Sequence, residues 1–219
     1  MQPLTPTERT TLRRAPQRGS FERERLEEIL DEALVCHVGL AGEHGPVVIP
    51  MSYARAGDRL YLHGSSASRL LRSLRGGVEA CVTVTLLDGL VLARSAFHHS
   101  VNYRSAVVFG TARELTDAAE KLAALRAIVE HVVPGRWSDT RGPSAKELAR
   151  TLVLALPLDE ASVKLRTGPP VDDDEDRELD HWAGVIPLRL EAADPIRAPE
   201  LRDGIPCPAY ATRYGRPGA

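Results

Sequence analysis

"RLYLHGSSASRLLRSL" (residues 59–74) carries a strand-like segment into Gly64-Ser65-Ser66 and then into a leucine-rich stretch that reads as a short helix. The helix opens with Ser68 and Arg69 in its first turn and is stopped by Gly76–Gly77. Free backbone N–H groups and the positive end of the dipole at such a start attract an anion. Serine hydroxyls and a guanidinium add donors that suit phosphate. The plainer alternative is that Ser65 or Ser66 caps the helix while Arg69 faces solvent. Spacing alone leaves both open.

Working outward, residues 1–19 are proline- and arginine-rich and read as an extended arm. Ser20 is expected to cap a helix with Leu26, Ile29, Leu30, Ala33 and Leu34 on one face. "VCHVGL" and "VVIPMSYA" follow as strands around the turn "AGEHGP", and "RLYLHG" follows at hairpin spacing. Pro50 lacks an N–H for the ladder and implies an edge or a bulge in the second strand. Beyond Gly77, "EACVTVTLLDG", "LVLARSAF" and "NYRSAVVFGTARELT" supply further strands. A long helix opens at Asp117, with Glu120 at capping-box spacing and Leu122, Leu125, Ile128, Val129 and Val132 along it. A second box, Ser144 to Glu147, precedes the strand "LVLALPL", and "ASVKLRTG" reads as the last core strand. "VDDDED" (171–176) reads as a solvated acidic loop without the glycine or terminal glutamate of a calcium loop. Residues 20–190 thus read as a small antiparallel β-barrel with helices around it, and 191–219 as an irregular tail.

The composition is that of a globular protein, with 43% hydrophobic and 26% charged residues among 219. A formal net charge of -2 argues against nucleic-acid binding. The three cysteines form no CxxC pair, which fits a reducing cytoplasm. No segment has signal-peptide character or approaches a membrane-spanning run, so no membrane partner is expected. Signatures of P-loop, Rossmann, nucleophile-elbow and HExxH proteins are all missing. His98 and His99 have no third ligand at a regular spacing, and neighbours on an extended strand point to opposite faces. They read as loop histidines, with a pocket-edge role for one of them as the alternative, and no metal site is expected. Trp182 reads as an interface anchor.

The 59–74 segment resembles the phosphate-binding segment of the pyridoxamine 5'-phosphate oxidase-like, FMN-binding split-barrel superfamily. "NYRSAVVFG" resembles its central strand, while "RTTLRRAPQRGSFERERLEEIL" and the "GPP…WAGVIPL" ending resemble the branch of the nitroimidazole-resistance (Nim) proteins. The resemblance implies that Ser68 and Arg69 hold the FMN phosphate, with Ser65 helping. The backbone and side chains of Ile49, Pro50, Met51 and Ser52 would line the isoalloxazine, and His63 and Gly64 would lie beside the ribityl chain or ring. Ser105 would stand near the flavin, and Arg104 would support the phosphate or a dimer contact. A flavin seated between two subunits implies a homodimer.

Leu70 stands where the vitamin B6 oxidases have a second basic residue, and the tail lacks their Arg-x-His segment, so pyridoxamine phosphate is not the expected substrate. The expectation is an FMN flavoprotein passing electrons from NAD(P)H to a small organic acceptor, with His63 as the one candidate proton relay. A deazaflavin F420 reductase, a haem-binding relative and a flavin sensor or carrier without turnover are the alternatives.

Overall fold

The computed structural model describes residues 3–215. Its framework is a ten-stranded, wholly antiparallel sheet in the order β1-β9-β6-β5-β2-β3-β4-β8-β7, with β10 paired to β5. The ends of this path, β1 (Gly19–Ser20) and β7 (Arg113–Glu114), do not meet, so the sheet is not closed.

Strands β2 (Val35–Gly42), β3 (Gly45–Ala56) and β4 (Arg59–Ser65) form two successive hairpins. β3 changes partner midway. Its residues 45–52 pair with β2, and Tyr53–Ala56 pair with β4. Pro50 therefore lies in a half with β2 as its sheet neighbour, where the missing N–H costs nothing on the open side. The stretches read as two strands at 79–89 and 90–97 are largely one, β5 (Ala80–Leu92), with a register shift between Leu87 and Gly89. It pairs along its length with β6 (Ser100–Gly110), which in turn pairs with β9 (Glu160–Arg166).

β8 (Thr151–Pro157) is buried on both faces, as its unbroken apolar run requires. Leu152, Leu154 and Leu156 enter the main core with Leu60, Leu62 and Tyr53. Val153 and Ala155 face a second cluster with Leu115 and Ala124. Ala124 belongs to α3 (Ala118–Val132), whose N-cap Asp117 accepts from the Ala119 and Glu120 amides. The expected apolar face of this helix is narrower than its sequence suggested, since Leu122 is exposed. The Ser144–Glu147 capping box forms as expected, at the start of α4 (Ala145–Arg150).

Helix α1 (Arg23–Glu32) buries Leu26, Ile29 and Leu30, each contributing roughly 1.5–3 kcal/mol of hydrophobic burial. Ser20 is not its cap. Ser20 instead pairs with Val163 as part of β1, and the helix starts after Glu22 without a side-chain cap. The Tyr53 hydroxyl donates to the Leu30 carbonyl at 2.6 Å, and His131 Nε2 lies 2.7 Å from the Ala33 carbonyl, so α1 and α3 are both tied in near its end.

The N-terminal arm is docked rather than merely extended. Leu4 and Thr10 are buried, and Arg9 reaches both Glu79 and Glu160 while lying 4.6 Å from the Phe109 ring centroid. Beyond "ASVKLRTG", the short β10 (Gly184–Pro187) adds to β5 without entering the core. Residues 188–207 carry no helix or strand, and the short α5 (Ala209–Thr212) follows. None of the described helices is long and apolar enough to cross a membrane.

Candidate functional site

β4 alternates in the expected sense, with Leu60 and Leu62 buried and Tyr61, His63 and Ser65 sharing the other face. Gly64 falls on the packed side. A Cβ there would lie 2.8 Å from Leu71 Cδ1, so glycine lets α2 (Arg69–Arg75) sit directly on the strand. The cap of α2 is Ser68, whose hydroxyl accepts from the Leu71 amide at 3.4 Å. Ser65 Oγ accepts from Ala67 N at 3.2 Å, and the Ser66 amide donates to the Arg150 carbonyl at 2.9 Å. Arg69 is exposed and makes no ion pair among the described residues. With seven residues α2 carries only a small dipole, so the capacity to hold an anion here rests on Arg69 and the two serine hydroxyls.

His63 is half-buried, and its Nδ1 is buried without a hydrogen-bond partner. Burial pushes its pKa below the ordinary histidine value, so the imidazole is held neutral. On β3, Ile49 and Met51 face one side and Pro50 and Ser52 the other. Their side chains alternate, so a flat ring laid on one face would meet two of them. A planar group along the strand's open edge would instead meet the backbone of all four.

Ser105 is 3.4 Å from Thr85 Oγ1, and β5, β2 and β3 separate its strand from β4 in the sheet order. Arg104 is not free for a phosphate. Its guanidinium bonds Glu32 and Asp88, with distances of 2.7 Å to Glu32 Oε1 and 2.8 Å to Asp88 Oδ1, and these carboxylates raise its pKa further. An arginine already shared by two carboxylates gains little from a third anion.

His98 and His99 sit at a 3-10 turn, and they part ways. His99 Nδ1 is 3.0 Å from the Ser95 carbonyl, whereas His98 Nε2 is 3.7 Å from Asp173 Oδ2. Asp176 completes a group with His98 and Asp173 whose ligand-type atoms lie within 4.8 Å of one another. Spacing along the chain gave no sign of this group, because the carboxylates come from a distant loop. The same loop is not wholly solvated. Asp172 is buried, accepting from the Arg94 amide at 2.9 Å and its guanidinium at 2.7 Å. Nearby in sequence, Phe97 is 90% exposed, and Trp182 is 68% exposed with its ring against Gly184.

The family model for pyridoxamine 5'-phosphate oxidase matches residues 22–165. The chain belongs to this family. Its open antiparallel sheet is the family's split barrel. The flavocytochrome Anf3 from Azotobacter vinelandii is similar at 41% identity and a TM-score of 0.90, over 95% of this chain and 97% of that one. An FAD and heme binding protein from Mycobacterium smegmatis is similar at 42% identity and a TM-score of 0.85, over 88% and 95% of the two chains. A 5-nitroimidazole antibiotic resistance protein from Bacteroides thetaiotaomicron follows at 27% identity and a TM-score of 0.55, over 67% and 85%. No curated protein matches the chain.

Proposed function

We propose that this family member is a redox protein that binds a flavin and a haem and passes electrons from a reduced nicotinamide to a small acceptor. The observation that carries this reading is the likeness, at 41% and 42% identity and over nearly the whole chain, to a flavocytochrome and to a protein that binds FAD and haem. That likeness favours FAD over the FMN expected from the motifs, and it promotes haem from an alternative to a second cofactor.

The residues fit a phosphorylated flat ring. Arg69 offers a solvent-facing cation, Ser65 and Ser68 offer hydroxyls, and Ile49 stands exposed beside the open edge of β3. Arg69 and the serines would hold the phosphate, and the edge of β3 would orient the ring. A haem needs a nitrogen not already committed to a hydrogen bond. His63 and His98 are the described histidines with a buried ring nitrogen that has no partner. His131 and His99 are each within hydrogen-bond distance of a carbonyl.

Bound flavin supplies hydride and single-electron chemistry, and bound haem takes single electrons. His63, kept neutral by burial, can accept or return a proton beside the ring. A second copy of the chain belongs to the same reading. Phe97, Trp182 and the exposed apolar residues of the tail, Leu190 and Ile196 among them, are the surface such a partner would cover.

An absorbance spectrum tests the proposal, with mass spectrometry of the released groups and anaerobic titration with NADH and NADPH. Flavin bands together with a Soret band, FAD released on denaturation, and bleaching by one nicotinamide are expected. A deazaflavin, or no chromophore after supplementation with flavin and haemin, would overturn it. Released FMN would correct the nucleotide alone, and light scattering checks the dimer.

A further inference from the structure

Among the described residues, three partly buried arginines are matched by carboxylates. Arg55 pairs with Asp31 and Glu27, Arg94 with Asp172, and Arg104 with Glu32 and Asp88. Arg166, at the end of β9, is more deeply buried than these and is not matched in this way. It is only 8% exposed, yet it makes no ion pair among the described residues. Its Nη1 donates to Asn102 Oδ1 and, at 3.3 Å, to the Gly168 carbonyl, while Nη2 donates to the Pro169 carbonyl at 3.2 Å. Every one of these acceptors is neutral. A guanidinium cannot shed its charge, and burying it without an anion is unfavourable.

A second cation stands beside it. Arg18, in the 3-10 turn Pro16–Arg18, lines the same open cavity of about 350 Å³ and also makes no ion pair among the described residues. Desolvation, and then the charge of Arg18, push the Arg166 pKa below the usual arginine value. Gln17 and Thr167 add neutral donors to the wall.

We propose that the cavity between the Pro16–Arg18 turn and the end of β9 is a binding site for a phosphate group, held by Arg18 and Arg166. Two unmatched guanidinium groups call for a dianion, and a phosphate monoester supplies one near neutral pH. A monocarboxylate would leave one cation uncompensated. Guanidinium forks also fit adjacent phosphate oxygens in the bidentate manner. The site lies on the arm and β9, apart from Ser68 and Arg69 on α2, and does not rest on the flavin or haem reading.

Inorganic phosphate is the probe, added to the protein as purified, saturated with whatever flavin it takes, at constant ionic strength. Calorimetry should show one site, and phosphate should raise the melting temperature, with acetate far weaker. Arg18→Ala should weaken binding by roughly tenfold or more. Arg18→Glu places a counter-ion in the cavity and should abolish it. Arg166→Met should lose both binding and the phosphate-dependent rise in melting temperature. Should that variant fail to fold, the Arg18 pair decides alone, since Arg18 sits in a surface turn. Arg69→Ala should leave phosphate binding here intact, which separates this site from the flavin seat. Titration with adenosine monophosphate tells a nucleotide source from free phosphate: tighter binding than inorganic phosphate assigns the group to a nucleotide, and equal or weaker binding to a small phosphate. The proposal is overturned by no phosphate binding in the native protein, by unchanged binding in both Arg18 variants, or by acetate binding as tightly as phosphate.

Discussion

Arg104 on β6 grips Glu32, the last residue of α1, with both terminal nitrogens of its guanidinium, and the same group reaches Asp88 at the bulge of β5. One side chain thereby fastens the end of a helix to two strands. The side chains of Arg104, Glu32 and Asp88 are 26%, 15% and 29% exposed, so water screens the cluster only partly. Arg104→Ala is expected to cost roughly 2–3 kcal/mol, somewhat below the 3–5 kcal/mol of a fully buried pair. Denaturant unfolding measures it. A loss under about 0.5 kcal/mol would show the cluster to be ornamental.

Arg9 plays the same part for the N-terminal arm. Its contacts, with the Thr7 hydroxyl, hold the Glu160 pKa down at about 2. A carboxylate with a depressed folded pKa stabilises above its unfolded value and loses that contribution as pH falls toward the folded one. Arm docking should therefore persist at neutral pH and loosen as the pH drops from about 4.5 toward 2. In Arg9→Ala, limited proteolysis near residues 3–19 should become fast at neutral pH. Equal cleavage rates in the two proteins would refute the latch.

For His63 the sign is the same, although the cause is burial of the imidazole and not pairing with a charge. Its folded pKa lies below the free value of 6.5, so the unfolded chain binds more protons as the pH falls through that value. Stability should decline from pH 6.5 downward, and His63→Gln should flatten this part of the profile. Chemical denaturation at several pH values in both proteins supplies the comparison, and parallel curves would remove His63 from the account.

Thiol reactivity separates the three cysteines. Cys36 is fully buried, and burial pushes its thiol up to about 12. Cys207 is exposed and Cys81 intermediate. Iodoacetamide at mildly alkaline pH should modify Cys207 first and Cys36 only after unfolding, as peptide mass mapping would read. Early labelling of Cys36 in folded protein would contradict its placement.

The proposed flavin seat makes Arg69 and Arg72 a matched pair on one helix. Losing a charged hydrogen bond at Arg69 should weaken flavin binding about 10- to 100-fold. Arg72→Ala should change it by less than about 0.5 kcal/mol. Fluorescence titration gives both affinities. Equal small losses would leave Arg69 as surface.

Much of the framework was legible because it is written by near neighbours. Alternation along 35–40 and 59–64, the serine before Arg69, Asp117 and the Ser144–Glu147 box act over a few residues, and each appears where expected. Pro50 marked the half of β3 with an open side for the same local reason. The family resemblance rested on these same stretches.

The rest was decided by groups far apart in sequence. Whether Ser20 capped a helix or joined a strand depended on Val163, and the two expected strands became one because β6 runs the whole length of β5. Arg104 and Arg166 look alike as letters near strand ends. The fold gave Arg104 two carboxylates and Arg166 only neutral acceptors. His98 gained Asp173 and Asp176, which chain spacing had not joined to it. Hydrophobic period and capping are local properties, so the sequence by itself determined most of the elements and the family. Charge compensation is a property of space, so only the tertiary structure decided which cations met carboxylates and which were left with neutral partners.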